Sequence, residues 1–315
     1  MTATTLATQL LMSSDLLTGA EWNAAATRVL MQLAADIKAR PDRYRGALGG
    51  RVLALIFEKP SLRTRVTFEV GIQSMGGSAV FLDHTQSHLG ERESIPDVAR
   101  SLERWVHGIV ARVFRQSALE LLASQAKIPV INALSDRYHP CQSLTDFFTL
   151  EEKFGATRGL KLAYVGDGNN VCHSLLIAGA RLGAHLRIAT PAGYAPAAEI
   201  VAEARRTARE TKGKIELFEN PAEAVAGAQA VYTDTWTSMG FEEETAQREA
   251  AFEGFQVNEK LMALAAPDAV FMHCLPAHRG SEVTEEVLDG PRSIVFDQAE
   301  NRLHVQKAIL LTLLS

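Results

Sequence analysis

The chain has little cysteine, no long apolar run and no excess of basic charge, and each shortage narrows what it can be. Its three cysteines, Cys141, Cys172 and Cys274, are odd in number and far apart, with no CxxC pair and no His at metal-ligand spacing. That argues against a disulfide framework and a structural zinc and fits a reducing compartment. No basic residue precedes Arg28 and no basic-flanked apolar core opens the chain, so neither a secretory signal nor an Arg-rich transit peptide is read and a cytoplasmic location is expected. No apolar run approaches the roughly 20 residues that span a bilayer; the nearest, Ala308 to Leu314, is short. With 32 Lys+Arg against 37 Asp+Glu and a net charge of -5, neither a nucleic acid nor a membrane is an expected partner, and any phosphate recognition should be local to a pocket. Internal repeats, low-complexity tracts and Pro/Gly/Ser-rich linkers are also missing.

What the chain does have is 315 residues, 47% of them hydrophobic, enough for two cores. Strand-like segments at 52–57, 79–82, 108–113, 129–132, 160–165, 186–189, 215–217, 230–233, 269–273 and 293–296 alternate with amphipathic stretches at 64–75, 118–125, 172–182 and 197–211. This alternation predicts an α/β protein of βαβ units, with two open parallel-sheet αβα domains. A helix over 142–154 bridges them. The expected division is 1–141 and 142–297, with a terminal helix within about 298–315 packing back on the first domain.

Chemistry-bearing residues cluster where strands end. After the strand at 52–57 come Ser61, Arg63 and Thr64 at the start of a helix, where N–H groups, the helix dipole, hydroxyls and a guanidinium suit an oxyanion such as phosphate. The same residues also suit an ordinary capped helix with Ser61 as N-cap. Arg112 closes the strand at 108–113, as a ligand group or as a side chain reaching solvent. His139 and Gln142 flank Pro140 in a turn, where the imidazole serves either a cleft or a nearby backbone group. Asp234 follows the strand at 230–233 and can pair with an ammonium or cap a turn. Cys274 leaves the strand at 269–273 within His-Cys-Leu-Pro, as a core hydrophobe or as a reactive thiol. The Gly166-Asp167-Gly168-Asn169-Asn170 turn suggests a dinucleotide site, but Val171 stands at the third glycine and no acidic residue ends the strand at 186–189, so that reading is disfavoured.

Taken together, Ser61-Leu62-Arg63-Thr64-Arg65, His139-Pro140-Cys141-Gln142, the Asp234 to Gly240 segment with its Ser238-Met239-Gly240, His273-Cys274-Leu275-Pro276 and Glu300-Asn301-Arg302 resemble the carbamoyltransferases, in their ornithine-using branch. The resemblance covers about 50–310. It implies a carbamoyltransferase-like fold of two domains joined by interdomain helices, no metal or organic cofactor, and a homotrimer with shared active sites. It also implies carbamoyl phosphate held by Ser61, Leu62, Arg63, Thr64, Arg112, His139, Gln142, Cys274, Leu275 and Arg302, and L-ornithine held by Asn170, Asp234, Ser238, Met239 and Leu134. Arg112, His139 and Cys274 would take the catalytic roles, and the product would be citrulline, in either direction of arginine metabolism. A neighbouring-chain loop around 83–90 would complete the site; His88 stands where the family commonly has Gln, and the contact is left unassigned. Putrescine or an N-acylated ornithine as acceptor, or a non-catalytic phosphometabolite-binding regulator, are the alternatives; the Asp234 motif and the presence of Arg63, Arg112 and His139 favour the ornithine reading.

Overall fold

The computed structural model describes residues 13–237 and 242–315. It divides into two compact units, one of residues 1–148 and 301–315, the other of 149–300. Each unit is built on its own parallel sheet.

In the first unit the order along the chain is α1 (Ala24–Ala39), β1 (Val52–Phe57), α2 (Leu62–Ser74), β2 (Ser78–Asp83), α3 (Ile95–Leu102), β3 (Gly108–Arg112), α4 (Gln116–Gln125) and β4 (Val130–Leu134). The strands lie in the order β2-β1-β3-β4, all parallel. Parallel strands buried on both faces read as continuous apolar runs, and the central β1 and β3 do so: Leu53 to Phe57 and Gly108 to Arg112 are buried throughout. Edge strand β2 instead alternates in exposure. Helix α5 (Pro140–Phe154) then carries the chain into the second unit, with Pro140 at its first position, where a missing N–H costs nothing.

The second unit runs β5 (Lys161–Val165), α6 (Asn170–Leu182), β6 (His185–Ala189), α7 (Ala198–Thr211), β7 (Lys214–Phe218), α8 (Pro221–Val225), β8 (Ala230–Thr233), α9 (Thr245–Ala251), α10 (Glu259–Met262), β9 (Val270–His273) and α11 (Glu285–Leu288). Its sheet order is β7-β6-β5-β8-β9, again parallel. A core of Val165, Val231, Phe252, Val257, Phe271 and their neighbours lies against one face. Helix α12 (Val295–Leu314) returns the chain to the first unit. Among the described residues no helix is long and apolar enough to cross a membrane.

One expected strand is absent. Residues 293–296 make an isolated bridge from Ser293 to Phe271, through Phe271 N–H to Arg292 O and Ile294 N–H to Phe271 O, and Val295 already starts α12. Asp297 in the first turn favours a helix start, and Phe296 points outward at 73% exposure, so the segment Ser293-Ile294-Val295-Phe296 divides between a bridge and a helix.

The Gly166–Asn170 turn shows what its glycines do. A Cβ on Gly168 would lie 2.2 Å from the backbone nitrogen of Pro196 and 2.5 Å from the carbonyl carbon of Ala195. The second glycine is thus covered by the chain's own 194–196 segment. Gly168→Ala is expected to destabilise by about 1–3 kcal/mol, as overpacking against rigid backbone does. Calorimetry should register a melting point several degrees lower, and an unchanged value would refute this close approach.

Candidate active site

Open parallel sheets bind ligands beyond the carboxyl ends of their strands, at the point where the strand order reverses. In the first sheet that point lies between β1 and β3, because the chain goes outward from β1 to β2 and then crosses to β3 and β4. Ser61 to Thr64 follow β1, Arg112 ends β3, Leu134 ends β4, and His139 and Gln142 come a short turn later. In the second sheet the reversal lies between β5 and β8. Asn170 follows β5, Asp234 follows β8, and Cys274 and Leu275 follow β9.

In the first unit, Ser61 is an N-cap: its Oγ accepts the Thr64 N–H at 3.3 Å and donates to Thr64 Oγ1 at 3.0 Å. Capping and anion binding are compatible, because a helix start has more N–H groups than one side chain can take. Arg63 is half-buried and Leu62 exposed at 76%. Arg302 comes 238 residues after Thr64 and is 3% exposed; its Nη2 donates to Thr64 Oγ1 at 2.8 Å and its Nη1 to Gln142 Oε1. Gln142 is oriented in turn, its Nε2 donating to Asp146 Oδ1 at 2.7 Å one helical turn later. Arg112 and His139 are buried as well, and Leu134 is half-buried. Around 83–90, Glu58 accepts the Leu89 N–H at 2.6 Å and the Phe114 N–H at 2.6 Å, and the His88 ring meets Phe114 edge-on at 4.8 Å.

These surroundings fix charge states. Burial, and then the guanidiniums of Arg302 and Arg112, hold the His139 imidazole well below its ordinary range, so it is neutral near pH 7. A neutral imidazole can still donate one hydrogen bond to a developing oxyanion. Burial pushes the Cys141 thiol up to about 12, and its Sγ donates to Asn132 O, so this cysteine belongs to the core.

In the second unit, Asp234 is 6% exposed and both its oxygens are engaged. Oδ1 accepts from Cys274 Sγ at 3.0 Å and Oδ2 from Asn169 Nδ2 at 2.8 Å. Asn169 was not among the candidates; its Oδ1 caps α6 by accepting from Val171 and Cys172 N–H, while Asn170 opens the helix. The sequence signal for it was an Asn immediately before a helical run. Beyond Cys274, Leu275 adopts φ 59° and its N–H donates to His273 Nδ1 at 2.9 Å. His273 Nε2 faces Glu282 Oε1 at 3.3 Å. Burial works to raise the Glu282 carboxyl, but His273 and the His278 N–H hold it below its usual range. Asp234, His273 and Cys274 bring one donor atom each within 4.8 Å of one another, a spacing that could hold a cation. The His273 ring, however, already serves the Leu275 N–H and Glu282. Ser238 and Met239 lie outside the described residues.

The His139 environment carries a testable consequence for stability. Its folded pKa is depressed, so this group's contribution is complete above the unfolded value near 6.5 and is lost as pH falls toward the folded one. Denaturant unfolding at several pH values below 6.5 should show stability falling less steeply in His139→Gln than in the parent, by up to about 1.4 kcal/mol per pH unit. Identical slopes would contradict a neutral, buried imidazole.

Comparison with known proteins agrees with this geometry. Residues 14–152 match the carbamoyl-P binding domain, and 158–313 the Asp/Orn binding domain, of aspartate/ornithine carbamoyltransferase. The chain is 53% identical over 306 residues to an ornithine carbamoyltransferase of Thermus thermophilus, covering 97% of this chain and 98% of that one. Among solved structures, ornithine carbamoyltransferase from Pyrococcus furiosus superposes with a TM-score of 0.91 at 48% identity, over 94% of this chain and 95% of that one. The anabolic enzyme of Campylobacter jejuni does so with 0.90 at 39% identity, over 95% and 98%. With both of its halves matched, the chain belongs to the aspartate/ornithine carbamoyltransferase family.

Proposed function

We propose that this chain transfers the carbamoyl group of carbamoyl phosphate to the side-chain amine of L-ornithine, giving L-citrulline and phosphate. The observation that carries this reading is the division of chemistry between the two sheets. One ends in buried guanidiniums, hydroxyls and a helix start suited to a phosphate, the other in a buried carboxylate beside a thiol suited to an amine.

Ser61, Leu62, Arg63, Thr64, Arg112 and Arg302 would hold the phosphate, whose leaving dianion gains most from donors already fixed in a dry site. Thr64, Arg112 and neutral His139 would polarise the carbonyl oxygen, where negative charge develops as the tetrahedral intermediate forms. Gln142 and the carbonyls of Cys274 and Leu275 would accept from the carbamoyl NH2 and set its plane. Asp234, with Asn170, Leu134, Ser238 and Met239, would hold ornithine. The attacking amine has an ordinary pKa near 10 and must lose a proton first. Its lone pair then forms the C–N bond as the carbonyl pair moves to oxygen; when that pair returns, the C–O bond to phosphate breaks, and the extra proton on the newly bonded nitrogen leaves with the phosphate. Cys274, hydrogen-bonded to Asp234, would orient the amine. No cofactor is needed for these steps.

Ureido product formation from carbamoyl phosphate with ornithine, putrescine, aspartate and N-acetylornithine in parallel tests the reading, with ornithine expected to be strongly preferred. Asp234→Asn removes the charge that meets the α-ammonium and should weaken ornithine binding by about 2–5 kcal/mol while leaving carbamoyl phosphate binding near normal. Selective loss of carbamoyl phosphate binding, followed by calorimetry, would reverse the division of the site.

The same reading extends to assembly as a homotrimer in the cytoplasm. Leu62, Val66 and Val70 recur every fourth residue on α2 at 76%, 45% and 44% exposure, and Val80 is 50% exposed on edge strand β2. An apolar stripe beside an open strand edge suits burial against further copies of the chain. Light scattering should give three times the chain mass for the parent and a smaller species for Val70→Lys; a monomeric parent would refute the trimer.

A further inference from the structure

Asp167 and Arg248 stand outside every role assigned above, yet they form a largely enclosed ion pair in the unit that holds Asp234. Arg248 Nη1 lies 2.7 Å from Asp167 Oδ2, with the two side chains 11% and 13% exposed. The same Nη1 donates to the carbonyl of Trp236 at 3.1 Å, and Nε donates to Glu244 Oε2 at 2.9 Å. The guanidinium also lies over the Tyr194 ring, 5.2 Å from its centroid. Tyr194 meets Phe252 edge-on, and the Trp236 indole stacks on Phe252 at 5.6 Å.

These contacts join the two loops that form the acceptor end of the sheet. Asp167 belongs to the turn after β5, two residues before Asn169; Trp236 belongs to the segment after β8, two residues beyond Asp234. Asn169 ties the loops by holding the Asp234 carboxylate itself. Arg248 ties them a second time, through one loop's carboxylate and the other's backbone. The charge arithmetic matters as well. Asp167 and Asp234 repel each other, and burial pushes the Asp167 carboxyl up while Arg248 opposes that rise. Arg248 also meets Glu244, but that carboxylate is 45% exposed and screened by water, so within the loops it is chiefly the charge of Asp167 that Arg248 offsets, leaving Asp234 to meet the substrate ammonium.

We infer that Arg248 is a positioning residue for acceptor recognition: by pairing with Asp167 and binding the Trp236 carbonyl, it fixes the backbone that carries Asp234 and cancels the competing carboxylate. The inference rests on the reading that Asp234 binds ornithine. Steady-state kinetics on Arg248→Gln, Arg248→Lys, Asp167→Asn and Asp234→Asn, with melting points measured alongside, tests it. Arg248→Gln should raise the ornithine KM roughly tenfold and leave the carbamoyl phosphate KM within about twofold, with the conservative Arg248→Lys recovering part of the loss. Adding Asp167→Asn to Arg248→Gln should cost less than the two separate effects combined, as for groups that act as a unit. A lowered melting point with both KM values unchanged, or an equal rise in both, would make the pair merely structural and overturn the inference. Should Arg248→Gln fail to fold, Arg248→Lys decides: a rise confined to the ornithine KM supports it, and parental kinetics overturn it. If Asp234→Asn itself leaves the ornithine KM unchanged, the underlying reading of Asp234 fails instead.

Discussion

A guanidinium buried from water is costly unless its donors are met, and the first unit is organised around one such group. Arg302 reaches back from the end of the chain to the hydroxyl of Thr64 at the start of α2 and to the amide of Gln142 in α5. Those two acceptors are neutral groups, and burial, joined by the guanidiniums of Arg302 and Arg112, keeps the His139 imidazole unprotonated. A helix start, a second buried arginine, Arg112, and a neutral imidazole then share one positively biased environment, which suits a small dianion. The negative net charge of the chain does not oppose this, since the donors act locally and the acidic surface is screened by salt.

The second unit solves the complementary problem. A buried carboxylate needs donors, and Asp234 obtains them from an amide, Asn169, and a thiol, Cys274, neither of which carries a positive charge. The carboxylate is therefore oriented while its charge remains available for an ammonium. Its supporting loops are held from outside this contact, by Arg248 on one side and by the His273–Glu282 pair behind Leu275 on the other.

Much of this was legible in the residues alone. The apolar runs at 52–57 and 230–233 coincide with β1 and β8, because strands buried on both faces leave a dense, short hydrophobic signal. The failure at 293–296 has the same origin: three consecutive apolar residues, Ile294 to Phe296, read alike in a strand and in the first turn of a buried helix, and only the neighbouring chain decides between them. Helix ends were less visible. Pro140 and Asn169 mark starts that periodicity placed a few residues later, since capping is a matter of individual side chains rather than of period.

The sequence by itself determined the fold class, the two sheets and the identity of the polar residues at the strand ends, because hydrophobic period and local motif are properties of neighbouring residues. Only the tertiary structure decided which of those residues act on one another. Thr64 with Arg302, Asn169 with Asp234, and Asp167 with Arg248 are separated by 238, 65 and 81 positions. No local preference encodes such a pairing; it arises when the fold of each unit brings distant helices and loops together, where burial makes every unmet donor or charge expensive enough to select its partner.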